Sequence, residues 1–360
     1  MDKTKLNSLL LDLRGRGAQS NTSSRFLKNQ TTPDLSDAGW VDPDDQRMLK
    51  TQVFKDTSRT IIAENDSPDI PFRFSLNAYR GCEHGCSYCY ARPTHEYFGL
   101  SAGLDFESKI FVKDEAPALL KKHLSSTRWE PAVVMMSGVT DCYQPIERHL
   151  KITRQCLEVF SEFRNPVGII TKNQLVVRDL DILKSMAEDQ LVAVMISITT
   201  LDSELARVME PRTSSPSARL QAIATLAEAG IPVGVNAAPL IPGLTDHELP
   251  HILKAASEAG AKIAGYTSLR LPHSVKDIFT EWIQAHRPEQ AEKVLNSIKR
   301  VRGGDLYRSN FSSRMRGEGP QAENTARLFD VFCQRYQLNQ NRFQLSTSHF
   351  KRPQEQLSLF

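Results

Sequence analysis

Two kinds of periodicity divide the chain. From about residue 70, short apolar runs rich in β-branched residues alternate with stretches of helical period. Phe74–Tyr79 reads as a first strand, and Ala132–Met136, bounded by Pro131 and Ser137, as a second. Leu150–Arg164 places Leu150, Cys156, Leu157, Phe160 and Phe163 on one helical face. Val167–Ile170 reads as a third strand, followed by a helix marked by Leu180, Leu183 and Ala187, and Leu191–Ile198 as a fourth. Ser215 then caps a helix with Pro216 at its first position; Leu220, Ile223 and Leu226 line one face and Gly230 ends it. Val233–Ala237 is a fifth strand, Thr245 opens another helix that Gly260 closes, and Ile263–Leu269 is a sixth strand. Strands separated by helices predict a parallel sheet, because each parallel neighbour needs a crossover. Periodicity leaves open whether this α/β sheet is doubly wound or rolled into a closed or partly closed barrel.

The ends are different. Residues 1–65 are polar and broken by Gly, Ser, Asn and Pro, and predict an extended arm that wraps the core or stays mobile. Residues 66–285 carry the alternating pattern, and residues 286–360 are basic and mainly helical, with Val294, Ile298, Leu328, Phe329 and Phe332 as packing positions and a loose tail from Leu345. The net charge is only +3, but Lys and Arg are concentrated at both ends around an acidic-leaning middle. Basic ends suit a polyanionic partner such as nucleic acid, and solvated tails on a soluble enzyme explain them equally well. With 40% hydrophobic residues the chain is neither disordered nor collagen-like. No window approaches the ~18 consecutive apolar residues of a membrane span, and Leu9–Leu11 is too short for a signal peptide core. The expectation is a cytoplasmic protein without a membrane partner.

Three of the six cysteines fall in one segment, Tyr79-Arg80-Gly81-Cys82-Glu83-His84-Gly85-Cys86-Ser87-Tyr88-Cys89-Tyr90. Three thiolates at this spacing can converge on a soft metal centre, with Gly81 and Gly85 letting the backbone turn around it. Structural zinc prefers four ligands, usually in two separated pairs. No second Cys-x-x-Cys occurs, so zinc would need His84 or a remote residue. A redox role for Cys86 and Cys89 leaves Cys82 unexplained. A [4Fe–4S] cluster with one iron free of protein uses all three and leaves a coordination site for a small molecule.

The cysteine motif, placed after a first strand and with an aromatic before its last cysteine, resembles that of the radical S-adenosylmethionine (SAM) enzymes. The resemblance implies a partial (β/α)6 TIM-type barrel with an extended N-terminal arm and a small helical C-terminal region. It implies that Cys82, Cys86 and Cys89 hold a [4Fe–4S] cluster whose fourth iron is chelated by SAM, and that a reducing partner such as a flavodoxin or ferredoxin feeds it. One electron then cleaves SAM to methionine and a 5′-deoxyadenosyl radical, which abstracts hydrogen from a substrate. Ser137, Thr140 and Asp141 stand where the family has a turn receiving the SAM amino group. Lys172, Ser197 and Thr199 follow later strands as carboxylate or ribose contacts, and Arg212 is a carboxylate-clamp candidate. Ile241 and Gly243 fall in a segment similar to the family's adenine-contacting stretch, and Tyr88 would lie against the adenine.

Cys-Tyr-Ala-Arg at 89–92, Thr-Asp-x-Tyr-Gln-Pro-Ile-Glu at 140–147 and Ala-Pro-Leu-Ile-Pro-Gly at 238–243 resemble the spore photoproduct lyase-like group, whose members are often labelled DNA repair photolyases. The authentic lyase carries a hydrogen-donating cysteine in the turn after the second strand; Gly138 occupies that place here, and Cys142 is the substitute candidate. Arg302, Tyr307, Arg308, Phe311, Arg314 and Arg316 suit either contact with a phosphate backbone or packing of a helical subdomain. A non-catalytic zinc protein that binds nucleic acid is the competing reading of the same cysteines and basic ends.

Overall fold

The computed structural model describes residues 15–26, 49–311, 313–341 and 343–353. Among the described residues ten strands run in chain order as β1 (Gln52–Lys55), β2 (Ile62–Glu64), β3 (Phe74–Leu76), β4 (Tyr79–Arg80), β5 (Lys109–Val112), β6 (Val134–Met136), β7 (Val167–Thr171), β8 (Val192–Ser197), β9 (Val233–Leu240) and β10 (Ile263–Ser268). Seven form one sheet in the order β10-β9-β8-β7-β6-β3-β2. The six strands from β3 to β10 in it are mutually parallel, and β2 joins β3 antiparallel at the edge. These six are the predicted ones. The sheet is an open, partial α/β barrel: among the described residues β10 does not hydrogen-bond back to β2.

Period-two alternation sets the two faces of this sheet. Val194 and Ile196 are fully buried under the outer helices, while Met195 and Ser197 turn inward to the concave side. The outer layer includes the helix Ile152–Phe163, whose Cys156, Leu157, Phe160 and Phe163 are buried against the sheet. Each such side chain contributes about 1.5–3 kcal/mol by leaving water. Ser215 caps Pro216–Glu228 by accepting from the Ala218 amide at 3.2 Å, as the sequence predicts.

Several boundaries differ from the periodic reading. The first strand is not continuous over Phe74–Tyr79. Asn77 leaves the ladder because its side-chain oxygen accepts from the Gly138 and Val139 amides, at 2.8 and 3.0 Å. Tyr79–Arg80 instead pairs with β5 in a second, three-stranded sheet ordered β1-β5-β4. The helix expected from Leu150 begins at Ile152 after a left-handed break at Lys151. The fifth strand continues to Leu240, and the segment opened by Thr245 is a short 3-10 turn, Asp246–Glu248, before the helix Leu249–Glu258. The described parts of residues 1–65 include ordered packing that the aperiodic pattern does not announce. Arg16, Ala18 and Gln19 are buried, and β1 and β2 lie within this stretch. All four residues of β1 are exposed, so it carries no alternation to read.

The helices Val275–His286, Pro288–Arg300 and Pro320–Arg335 follow the sheet. No helix among the described residues is long and apolar enough to cross a membrane.

Candidate active site: the cysteine loop and the cavity of the half-barrel

The cysteine loop leaves β4, an edge strand of the three-stranded sheet, and is held by buried hydrogen bonds. The Cys82 amide donates to the Phe106 carbonyl at 3.0 Å and the Ser87 amide to the Met209 carbonyl at 3.0 Å. Arg92, fully buried, donates to the Cys86 carbonyl at 2.9 and 2.8 Å and pairs with the Glu107 carboxylate. That carboxylate also accepts from the Gly17 and Ala18 amides at 3.0 and 2.7 Å, which straps the N-terminal segment across the back of the loop. Glycine is required at position 17 because a Cβ there would overlap the Gly85 carbonyl oxygen. Gly85 itself has φ +66°, the left-handed conformation that lets the loop fold back between Cys82 and Cys86.

On the inner side, Cys82, Cys86 and Cys89 all line one cavity of about 1900 Å³ that fills the concave face. Burial, reinforced by neighbouring charge, pushes the Cys86 thiol well up and the Cys89 thiol up to about 11. Thiolates are therefore costly here without a bound cation. Among the described residues no three His, Cys, Asp or Glu are arranged to hold a single metal ion. A mononuclear zinc site brings its sulfurs within ~2.3 Å of one point, whereas a cubane spreads three thiolates over three of its corners. The three thiols of this loop face one cavity, and the motif offers three sulfur ligands rather than four, which suits a cluster with one iron left free of protein.

The other predicted residues divide into those on the cavity wall and those behind it. Ser137, Thr140, Asp141, Lys172, Ser197 and Tyr88 are on the wall. Thr140 and Asp141 are already committed to the loop. Thr140 donates to the Gly81 carbonyl at 2.6 Å. Asp141 accepts from Thr171 at 2.7 Å and from the Lys172 and Tyr143 amides at 2.8 and 2.9 Å, and it faces His84 at 3.4 Å. Burial opposes the charge on His84, but Asp141 and Cys82 outweigh it and hold the imidazole up at about 10. Ser137, at φ +80°, accepts from the Cys142 amide at 3.0 Å.

Lys172 lies 5.7 Å from the Tyr88 ring centroid and bonds Thr199 at 3.0 Å, the Ala238 carbonyl at 2.8 Å and Glu210 at 3.1 Å. Burial first, then the Arg219 charge, bring its pKa down to about 7. Tyr88 reaches Thr199 at 3.2 Å and donates to Glu210, which Arg219 also pairs. Thr199 is fully buried beneath this group rather than on the wall.

Four predicted contacts lie away from the cavity. Arg212 bonds Glu83 at 3.1 Å and Thr51 at 3.3 Å on the outer side of the loop, where its charge balances Glu83. Ile241 is fully buried behind the wall, in a second apolar cluster that also holds Cys86, Tyr88, Phe279 and Trp282. The Gly243 amide is taken by Asp246 at 3.0 Å. Cys142 is 1% exposed in the main core, its thiol pushed up by burial, and is not on the wall. In the basic tail, Arg302 is buried and donates to the Leu269, Ser268 and Ser313 carbonyls, so it anchors the segment and offers no phosphate contact. Phe311, Arg314 and Arg316 do reach the wall.

Sequence reasoning missed Tyr90, Asn236, Tyr266 and Arg270, all on the wall. Arg270 lies 4.3 Å from the Tyr90 ring centroid and Arg316 3.8 Å from that of Tyr266. The one available signal was the position of Tyr90, immediately after Cys89.

A half-barrel of six parallel strands with three cysteines on the loop after its first strand defines a class of cofactor-dependent protein. The chain belongs to the radical SAM superfamily, whose sequence model matches residues 76–256. An uncharacterized protein of Mycobacterium tuberculosis is 34% identical over 233 residues, 64% of this chain and 68% of its own length. An uncharacterized protein of Methanocaldococcus jannaschii is 33% identical over 200 residues, 55% of this chain and 71% of its own. Among solved structures, a spore photoproduct lyase variant superposes with a TM-score of 0.57 at 18% identity, covering 79% of each chain. Spore photoproduct lyase complexed with dinucleoside spore photoproduct gives 0.56 at 17%, again over 79% of each. At these identities the likeness establishes a common fold.

Proposed function

We propose that this protein is a radical SAM enzyme that acts on a nucleic acid in the cytoplasm. The observation that carries the first part is the loop itself: three cysteines aimed into one cavity, braced by Arg92 and Glu107, with no fourth protein ligand in the motif. Cys82, Cys86 and Cys89 would hold a [4Fe–4S] cluster, leaving one iron for SAM. The chemistry such a group supplies is one-electron cleavage of the sulfonium bond of SAM, giving methionine and a 5′-deoxyadenosyl radical that takes a hydrogen atom from the substrate.

The chain's own residues bind and orient. Tyr88 offers a ring face on the wall beside the cysteines, and Lys172 a cation next to it, suited to the adenine and carboxylate ends of SAM. Ser197 and Thr199 stand on the strand and turn beneath them, and Glu210 with Arg219 fixes Tyr88 and Lys172 in place. Asp141 and Thr140 hold the loop against the sheet. Water is excluded on the outer side by the Arg16–Gln19 segment.

A nucleic-acid substrate is supported by the far wall, where Arg270 and Arg316 interleave with Tyr90, Tyr266 and Phe311, while Arg314 is tied to Asp69. Cations for phosphates and rings for bases are what a single strand or an extruded nucleotide needs. The spore photoproduct lyase complexed with its dinucleoside, which shares this fold, is a precedent for such a substrate.

The test is anaerobic reconstitution with iron and sulfide, reduction with dithionite, and assay of 5′-deoxyadenosine from SAM with and without damaged and intact DNA. Formation that disappears in Cys86→Ala and rises with DNA is expected. A chain that binds one zinc and no sulfide refutes the reading.

A further inference from the structure

The last stretch of described backbone is a strap across the end of the sheet away from the cysteines. The Ser346 amide donates to the Gln190 carbonyl at 2.9 Å and the Lys351 amide to the Phe163 carbonyl at 2.9 Å. Arg352 donates to the Trp129 and Ser126 carbonyls at 2.8 and 3.1 Å. Gln190, Phe163 and Trp129 stand shortly before β8, β7 and β6, so residues 346–352 run over the amino ends of three neighbouring parallel strands. Phe350 packs against the core, 6.4 Å from Phe163 between ring centroids. The cavity residues Ser137, Lys172 and Ser197 mark the opposite, carboxyl ends of the same strands. At ~3.3 Å per residue the six residues of β8 put about 20 Å between the two ends.

The sequence after Pro353 changes character. Between Ser346 and Gln356 the one large apolar side chain is Phe350, which the core already holds. Residues 356–360, which lie outside the described residues, then read Gln-Leu-Ser-Leu-Phe. Leu357, Leu359 and Phe360 bring three large apolar side chains together on a polar stretch, and Gln356 adds an amide that both donates and accepts. Short peptides of this make-up bind by placing the apolar side chains in a cleft and fixing their register with a polar group at its rim. In bacteria the cleft that takes this residue order belongs to the ring-shaped clamp that slides on duplex DNA.

The distribution of cations gives such a hold a use. The net charge is only +3 over 360 residues. Arg302 is committed to backbone carbonyls and Arg314 to Asp69, which leaves Arg270 and Arg316 on the far wall. So few phosphate contacts give a weak, salt-sensitive grip on DNA. A tether to a ring already threaded on the duplex holds the enzyme near its substrate at an effective concentration of about the millimolar range, without any further cation.

We propose that residues 356–360 are a peptide ligand for a ring-shaped DNA clamp, and that the strap 346–352 presents it from the amino end of the half-barrel. The choice of a DNA-borne partner rests on the nucleic-acid reading of the cavity. Leu357, Leu359 and Phe360 fill the partner's apolar cleft, and Gln356 sets the register. Because the strap and the cysteines stand at opposite ends of the same strands, a clamp held there leaves the cysteine end open to DNA.

The test uses the full chain, purified aerobically, with a purified bacterial sliding clamp as the probe. Binding is followed by calorimetry for the native chain, for Gln356→Ala and for the double variant Leu359→Ala, Phe360→Ala, with thermal unfolding of each chain alongside. The native chain is expected to bind, each variant to bind about tenfold more weakly or worse, and all three to unfold at the same temperature. A synthetic peptide of residues 354–360 should compete with the native chain. No binding by the native chain, or native affinity in both variants, would overturn the proposal. A native chain that ignores the clamp, with variants that unfold at a lower temperature, would place Leu359 and Phe360 on the chain's own body and overturn it too. Clamp binding lost in the variants, together with 5′-deoxyadenosine formation that does not respond to DNA, would instead strike the nucleic-acid reading and leave the tether standing.

Discussion

Glu107→Gln tests whether the N-terminal strap is part of the cysteine centre. The native carboxylate is fully buried and accepts from the Gly17 amide at 3.0 Å, the Ala18 amide at 2.7 Å and the Arg92 guanidinium. Glutamine keeps the volume but replaces one acceptor oxygen with a donor, so a backbone N–H of the strap meets an N–H. It also leaves Arg92 with carbonyl partners only, at Cys86, Ala102 and Gly103. Breaking one side of a buried ion pair costs about 3–5 kcal/mol, a large part of the ~5–15 kcal/mol that holds a domain folded. At the ~2–4 °C per kcal/mol typical of chains somewhat shorter than this one, Tm should fall by about 10 °C. The assay is thermal unfolding by circular dichroism at pH 7, with iron per chain after reconstitution and proteolysis of the strap as parallel readouts. Ser20→Ala serves as control, because Ser20 bonds Glu281 at the surface and lies on the same strap; its effect should stay within ~0.5 kcal/mol. A Glu107→Gln protein with Tm within ~2 °C of native and native iron content would refute the idea that the strap braces the loop.

Other expectations follow from single side chains. Arg314 and Ser67 hold the Asp69 carboxyl down at about 2, so the stability this contact lends is complete above the ordinary carboxylate range and is lost as pH falls towards 2. Asp69→Asn should therefore cost about 1 kcal/mol at pH 7, and its Tm gap to the native chain should close as pH drops below 4; a gap independent of pH would refute the charge argument. Lys172→Met removes the cation beside Tyr88 and should weaken SAM binding about tenfold, read by equilibrium dialysis; unchanged affinity would place the SAM carboxylate elsewhere. Cys142, buried and held protonated, should resist iodoacetamide in the folded protein while the denatured chain labels fully, as read by mass spectrometry. Cys142→Ala should also leave the product distribution unchanged, and a diverted product would make the thiol the hydrogen donor after all.

The local signals in the sequence were strong where chemistry or periodicity is contiguous. Cys82, Cys86 and Cys89 lie within eight residues, with Gly81 and Gly85 beside them, so the centre was legible without any long-range contact. The six parallel strands were legible because each is a short apolar run set off from the next by a stretch of helical period, and Ser215 with Pro216 fixed one of those helices by local hydrogen bonding alone. The open half-barrel was not legible in the periodicity and came only from the family resemblance, since closure depends on whether β10 meets β2, a matter of twist and of contacts between residues distant in sequence. Nor was the second sheet, whose exposed β1 has no alternation and whose partner β5 lies more than fifty residues away. Arg212, Ile241 and Gly243 carry the right residue types at plausible spacing, yet packing places them off the wall, while Tyr90, Asn236, Tyr266 and Arg270 reach it from three different segments. Sequence by itself thus determined which chemistry the chain is equipped for, because that chemistry sits on one loop. Tertiary structure decided which side chains face the cavity, because facing is set by strand register and helix packing that neighbouring residues do not encode.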